Sequence, residues 1–187
     1  MIEKEKMLAG LLYDPCTDTS LANERLYAQD LCFQLNQLSP LEVDKRKQLF
    51  ETLLGKTAQQ FTIMSGFQCD YGYNIEIGEN FFANFNCIML DAARISFGDN
   101  VLVAPNCGFY TSGHPLESEI RNSGLEFAKP ITIGNSVWIG GNVIVLPGVT
   151  IGDNSVIAAG SIVDRDIPSN VVALGSPCRV YKQLPNS

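Results

Sequence analysis

One histidine occurs in the whole chain, His114, in the stretch FYTSGHPLESE at residues 109–119. Imidazole is the side chain whose ordinary pKa, about 6.5, lets it take up and return a proton near neutrality. Its neighbours give it a fixed setting. Pro115 biases His114 towards an extended backbone and Gly113 lets the chain bend tightly, so the ring should sit at one defined place. The chemistry this allows is general-base catalysis, in which a neutral imidazole accepts the proton of a weak nucleophile such as a hydroxyl.

Other residues suit binding. Asp14 in LLYDPC, Asp70 in CDYGYN and Glu126 in GLEFAK are carboxylates, able to accept hydrogen bonds from adjacent hydroxyls. Asn84 in FFANFN offers an amide, although Asn and Asp are also ordinary corner and capping residues. Trp138, the only tryptophan, presents a flat face for an apolar or aromatic ligand, or for a subunit contact. Gly141, Ala159 and Gly160 leave the backbone open to close approach, and Arg179 and Lys182 form a basic pair near the end of the chain. Such a pair fits phosphates, and equally a solvated face.

Composition narrows the classes. The net charge of -7, from 13 Lys and Arg against 20 Asp and Glu, has the wrong sign for nucleic acid or an anionic membrane. No apolar run approaches the roughly 20 residues of a membrane span, so a soluble protein is expected. The six cysteines have no CxxC or other ligand-like spacing, and no signal-peptide pattern precedes them. They read as reduced thiols of a cytoplasmic protein, with no metal site.

Two kinds of element must position these residues. Residues 1–57 read as a helical region of two or three short helices. The clearest lies in SPLEVDKRKQLFETLLG, with Ser39 as cap, Pro40 at the first helical position, Glu42 closing a capping box and Gly55 as a left-handed stop. Beyond it the text falls into sixes: IGNSVW IGGNVI VLPGVT IGDNSV IAAGSI VDRDIP, led by Ile133, Ile139, Val145, Ile151, Ile157 and Val163. Earlier repeats are led by Ile77, Ala83, Phe97 and Val103. The second column is mostly small. Neither a helix, with period 3.6, nor a two-faced strand, with period two, needs one aliphatic every six residues. A solenoid of short strands and tight corners does, with one inward aliphatic per side. Ile77 and Phe97 stand two residues further apart than three repeats require, so a small insertion is expected near LDAAR. Residues 114–129 break the rhythm and should project as a loop, with His114 at its root.

Five motifs in order, CDYGYNI, FFANFN, TSGHP, ITIGNSVWIGGNVIVLPGVTIG and GSPCRV, together with the helical preface, resemble the maltose and galactoside O-acetyltransferases. The resemblance covers nearly the whole chain, and CDYGYNI is closer to the maltose type. It implies a left-handed parallel β-helix over residues 58–187, although parallel crossovers are generally right-handed. It implies transfer of an acetyl group from acetyl-CoA to a hydroxyl of a small sugar, the 6-hydroxyl of glucose, maltose or a glucoside. His114 is then the general base and Asn84 helps to hold the reacting groups. Asp14, Asp70, Phe82 and Glu126 bind the acceptor. Trp138, Gly141, Ala159, Gly160, Arg179 and Lys182 bind the coenzyme. It further implies a homotrimer with each site in a groove between subunits. Phe82 replaces a tyrosine of some relatives and Ala92 an aspartate of the galactoside type, which bears on the preferred sugar. Asp164 and Arg165 depart from the family pattern and are left out of the site. Serine, antibiotic and chitooligosaccharide acceptors, or a non-enzymatic scaffold, are the alternatives; a γ-class carbonic anhydrase would need three histidines.

Overall fold

The computed structural model describes residues 1–185. From Phe61 onward the chain winds into a parallel β-solenoid with three faces. The first face stacks Phe61–Ile63, Phe81–Ala83, Leu102–Val103, Trp138–Ile139, Val156–Ile157 and Val171–Gly175, closed by the antiparallel strand Cys178–Gln183. The second stacks Gln68–Cys69, Ile88–Leu90, Gly108–Tyr110, Ile144–Val145 and Ile162–Val163. The third stacks Ile75–Glu76, Ile95–Phe97, Ile131–Ile133 and Thr150–Ile151.

The repeat period sets the core directly. Ala83, Val103, Ile139, Ile157 and Ala173 lie one above another in register, each at most 1% exposed. In the repeats led by Ile133, Ile139, Val145, Ile151 and Ile157 the fifth residues Val137, Val143, Val149, Ser155 and Ser161 are buried too, and the serine hydroxyls are satisfied by donating to the Pro168 and Ala158 carbonyls.

The turning is done by the fourth position of each repeat, which the reading of columns one, two and five overlooked. Asn80, Asn86, Asn100, Asn106, Ser136, Asn142 and Asn154 all have φ between 53° and 61°. Asn tolerates this left-handed region better than other non-glycine residues. Its amide then bonds to the next coil: Asn80 Nδ2 donates to Asn100 Oδ1 at 2.9 Å and Asn86 Nδ2 to Asn106 Oδ1 at 3.1 Å. The small second column has a different task, the close stacking of coils. A Cβ on Gly98 would fall 2.8 Å from the Gly134 carbonyl carbon.

The insertion near LDAAR is present, and it recurs. Eight residues separate Met89 from Phe97 and Cys69 from Ile77, where six separate Val145 from Ile151. All these extra residues fall at the corner between the second and third faces. In the third coil the same corner emits the long arm, residues 112–128. The arm is more than a loop: Ser112–Gly113 pairs antiparallel with Phe127–Ala128, and a short helix, Ser118–Asn122, caps its tip.

The helical region forms α1 (Glu3–Leu8), α2 (Thr19–Gln37) and α3 (Val43–Leu53). At 19 residues α2 is longer than expected. The capping expected for α3 is shifted. Ser39 to Glu42 form a turn ahead of the helix, with Ser39 N donating to Glu42 Oε2 at 3.2 Å, and the helix begins at Val43. Gly55 is not a left-handed stop. Its Cβ would lie 2.0 Å from the Tyr73 carbonyl oxygen, so glycine is needed there for backbone contact. The helices have no core apart from the solenoid. Leu31, Leu35, Phe50 and Leu53 share one cluster with Ile63, Phe67 and Ile75, and Cys32 Sγ touches Cys69 Sγ at 3.7 Å. Five of the six cysteines are buried, and all six are free. No helix among the described residues is long and apolar enough to cross a membrane.

Truncating the inward stack should be costly and truncating an outward residue should not. Ile139→Ala is expected to lower unfolding stability by about 2–5 kcal/mol, and the exposed Thr132→Ala by less than about 0.5 kcal/mol, both measured by urea denaturation.

Candidate active site

The corner between the second and third faces is a stack of three modified turns, and each satisfies the one before it. Asp91, fully buried in the second coil, accepts from the backbone N–H of Asp70 (3.1 Å), Tyr71 (2.8 Å) and Asn74 (3.3 Å) in the first. Thr111, in the third coil, accepts from Ala93 N at 2.9 Å while donating to the Leu90 carbonyl. The arm leaves directly after Thr111. His114 therefore hangs from a corner at which side chains accept from the backbone N–H groups of Asp70, Tyr71, Asn74 and Ala93.

The arm returns beside the helical region. Tyr13 and Glu126 exchange backbone hydrogen bonds of 3.0 Å in both directions, which closes a cleft of about 470 Å³. His114, Glu126, Asp70, Tyr13, Arg25 and Gln29 line it, along with Ala92. A cleft of this size suits a small polar ligand. A larger cavity of about 600 Å³ lies towards α1, but its only titratable side chain is Arg94, already paired with Glu76 at 2.7 Å. It offers no proton acceptor.

His114 Nδ1 lies 3.0 Å from the Leu125 carbonyl oxygen. A carbonyl can only accept, so Nδ1 is the donor here, and in the neutral tautomer that this selects, the lone pair is on Nε2. Glu126 Oε1 is 3.7 Å from Nε2, and Glu126 Oε2 accepts from the Tyr13 hydroxyl at 2.8 Å. Asp70 has no side-chain hydrogen-bond partner among the described residues. Burial, with the Glu126 charge nearby, pushes its carboxyl up to about 6, opposed by Arg25. Arg25 itself is held by the Tyr71 hydroxyl and the Pro15 carbonyl, both at 2.7 Å.

The other expected residues are elsewhere on the single chain. The Asp14 carboxylate caps its own turn, accepting from Cys16 N (2.9 Å) and Thr17 N (3.2 Å), and does not line the cleft. Asn84 sits at the corner between the first and second faces, where its Oδ1 accepts from Phe85 N at 2.8 Å. Phe82 lies on the first face in register with Leu102. The coenzyme candidates gather on that same edge. Trp138 points outward, 55% exposed, in register with Leu102 and Val156. Gly141 and Ala159–Gly160 occupy stacked corners, with Gly160 N donating to the Gly141 carbonyl at 2.8 Å. Arg179 already has a partner on its own chain. Its guanidinium is taken by Asp164 at 2.7 Å, whose carboxyl it holds below the usual range, whereas Lys182 is exposed and makes no ion pair among the described residues. Sequence reading missed Tyr13, Arg25, Asp91 and the Leu125 carbonyl. Asp91 alone carried a signal, since it stands in the expected insertion.

Comparisons with known proteins bear on this geometry. Residues 6–58 match the maltose acetyltransferase hexapeptide capping motif, and residues 130–165 match the bacterial transferase hexapeptide of six repeats. Galactoside O-acetyltransferase of Escherichia coli (strain K12) is 46% identical over 181 residues, 96% of this chain and 88% of that protein. The chain belongs to the maltose and galactoside O-acetyltransferase family. The crystal structure of a maltose O-acetyltransferase from Clostridium difficile 630 superimposes with a TM-score of 0.98 at 49% identity, covering 100% of this chain and 99% of that one. A hexapeptide-repeat acetyltransferase from Vibrio cholerae O1 biovar eltor, solved with acetyl coenzyme A, superimposes at 0.91 with 38% identity over the full length of both chains. The solenoid is therefore the left-handed parallel β-helix of this acetyltransferase family, as the resemblance implied.

If Asp91 is the keystone of the corner, Asp91→Ala strands three backbone donors and should cost about 2–4 kcal/mol by chemical denaturation, with Asp91→Asn milder.

Proposed function

We propose that the protein transfers the acetyl group of acetyl-CoA to a hydroxyl of a small sugar, the 6-hydroxyl of maltose, glucose or a glucoside, with His114 as general base. One observation carries this reading: the imidazole is held through Nδ1 by the Leu125 carbonyl, and its free Nε2 shares a cleft with Asp70 and Glu126. The sugar oxygen attacks the thioester carbon as its proton passes to Nε2. The C–S bond then breaks, and the proton is returned to the departing thiolate. No protein nucleophile is required; of the six cysteines the exposed Cys16 lines the cleft and the five buried ones do not. Asp70, without a partner of its own, accepts from sugar hydroxyls, as does Glu126.

Acetyl-CoA binding is supported by the relative solved with it and by the exposed edge of Trp138, Gly141, Ala159 and Gly160. Lys182 is the free cation for a phosphate, and Arg179 serves only if a phosphate competes with Asp164. Asn84 and this edge lie across the second face from His114. One chain thus offers two half-sites on different corners of its prism. A homotrimer, in which the Asn84 edge of one copy faces the His114 corner of the next, completes the site. The exposed Leu102 and Trp138 on the first face fit burial in such an assembly. A non-sugar acceptor is the alternative. The two carboxylates, Asp70 and Glu126, favour a hydroxyl-rich ligand.

The purified protein should release CoA thiol when mixed with acetyl-CoA and maltose, glucose or a glucoside, and not with serine or amines. His114→Ala should lose about 10²–10⁴ in kcat; near-normal turnover by that variant would remove His114 from the mechanism. The ionised form of Asp70 is the better acceptor. The KM for the sugar should therefore fall as pH rises through about 6. In Asp70→Asn it should be higher and flat with pH.

A further inference from the structure

We propose that Tyr13, supplied by the helical region, is a positioning residue of the acetyltransferase site, holding one oxygen of Glu126 so that the other faces Nε2 of His114. The inference rests on the reading of His114 as the base. Tyr13 is 1% exposed, and its hydroxyl has Glu126 Oε2 as its partner at 2.8 Å. Two backbone hydrogen bonds of 3.0 Å lock the same two residues together. Glu126 is thus gripped by main chain and side chain from a segment 113 residues away in sequence.

The grip has work to oppose. Glu126 shares the cleft with Asp70, and their like charges repel, which is part of what pushes the Asp70 carboxyl up. Left alone, a partly exposed glutamate would swing to water. Burial and the Glu126 charge push the Tyr13 phenol above its ordinary value, so it stays protonated and always donates. Tied at Oε2, the carboxylate keeps Oε1 at 3.7 Å from Nε2, too far for a direct hydrogen bond but close enough to stabilise the imidazolium that forms as the proton arrives. That stabilisation exists in the transition state and not before, so its loss belongs in kcat.

The single histidine makes the test clean, because every imidazole signal in the protein belongs to His114. In long-range ¹H–¹⁵N spectra, Tyr13→Phe and Glu126→Gln are both expected to move the Nε2 resonance more than that of Nδ1, which Leu125 still holds. In kinetics, Tyr13→Phe should lower kcat by about 3- to 30-fold with the KM for acetyl-CoA within about twofold, and should cause no further loss when added to Glu126→Gln. Fully additive losses, or an unmoved Nε2 resonance, would overturn the proposal. Phenylalanine preserves the buried ring, and a thermal melt checks that it does. If that variant melts early, its spectra recorded below its melting temperature decide, with Glu126→Gln as the reference for outright loss of the carboxylate. Should the wild type acetylate no sugar at all, the proposed function falls, yet the spectra still decide whether Tyr13 governs what His114 senses.

Discussion

Each coil of this solenoid spends its backbone donors on the carbonyls of its neighbour, and that pairing obliges equivalent residues of successive coils to stand directly above one another. Phe82 N donates to the Val101 carbonyl, Leu102 N to Val137 and Trp138 N to Ser155, so a feature introduced in one coil must be matched or accommodated in the next. Most corners meet the demand with an asparagine at φ near 60° and a glycine where coils touch. The corner between the second and third faces meets it differently. Two extra residues in the first coil stack on two extra residues in the second, and the arm grows from the third. The buried Asp91 carboxylate is what lets that irregular stack exist, since the displaced N–H groups of Asp70, Tyr71 and Asn74 have no strand partner there and are accepted by its side chain.

The site follows from that irregularity. A regular prism offers flat faces and tight corners, with no concavity to hold a ligand. Enlarging three corners in succession opens one, and the helical region then roofs it. Arg25 and Gln29 lie four residues apart on α2 and face the same cleft, while Cys32, three residues on, packs against Cys69 in the wall below. The helices therefore act as part of the site as well as a cap on the solenoid end, which accounts for a shared core instead of two separate ones.

Much of this was legible in the sequence because the signals are local or periodic. An inward aliphatic every six residues reports a coil of short sides joined by tight corners, and two residues beyond three repeats report where a coil departs from it. His114 was legible for the same reason, as the one histidine at the point where the period breaks. The helix ends were less legible. Gly55 has the appearance of a helix stop, yet its requirement is contact with the Tyr73 backbone, a residue 18 positions away. Arg179 suits a phosphate by type, but a partner 15 residues away in sequence, Asp164, claims it.

The sequence by itself determined the repeat, the buried columns, the projecting loop and the place of the one histidine, since each depends on residue type and spacing along the chain. Only the tertiary structure decided which groups meet. The tautomer of His114 depends on the Leu125 carbonyl, the Glu126 carboxylate depends on Tyr13, and Asn84 stands on a different corner from the histidine that shares its motif set. These are contacts across the turn of a prism or across 113 residues of chain. Their distances are set by coil register and helix docking, and neither leaves a trace in local spacing.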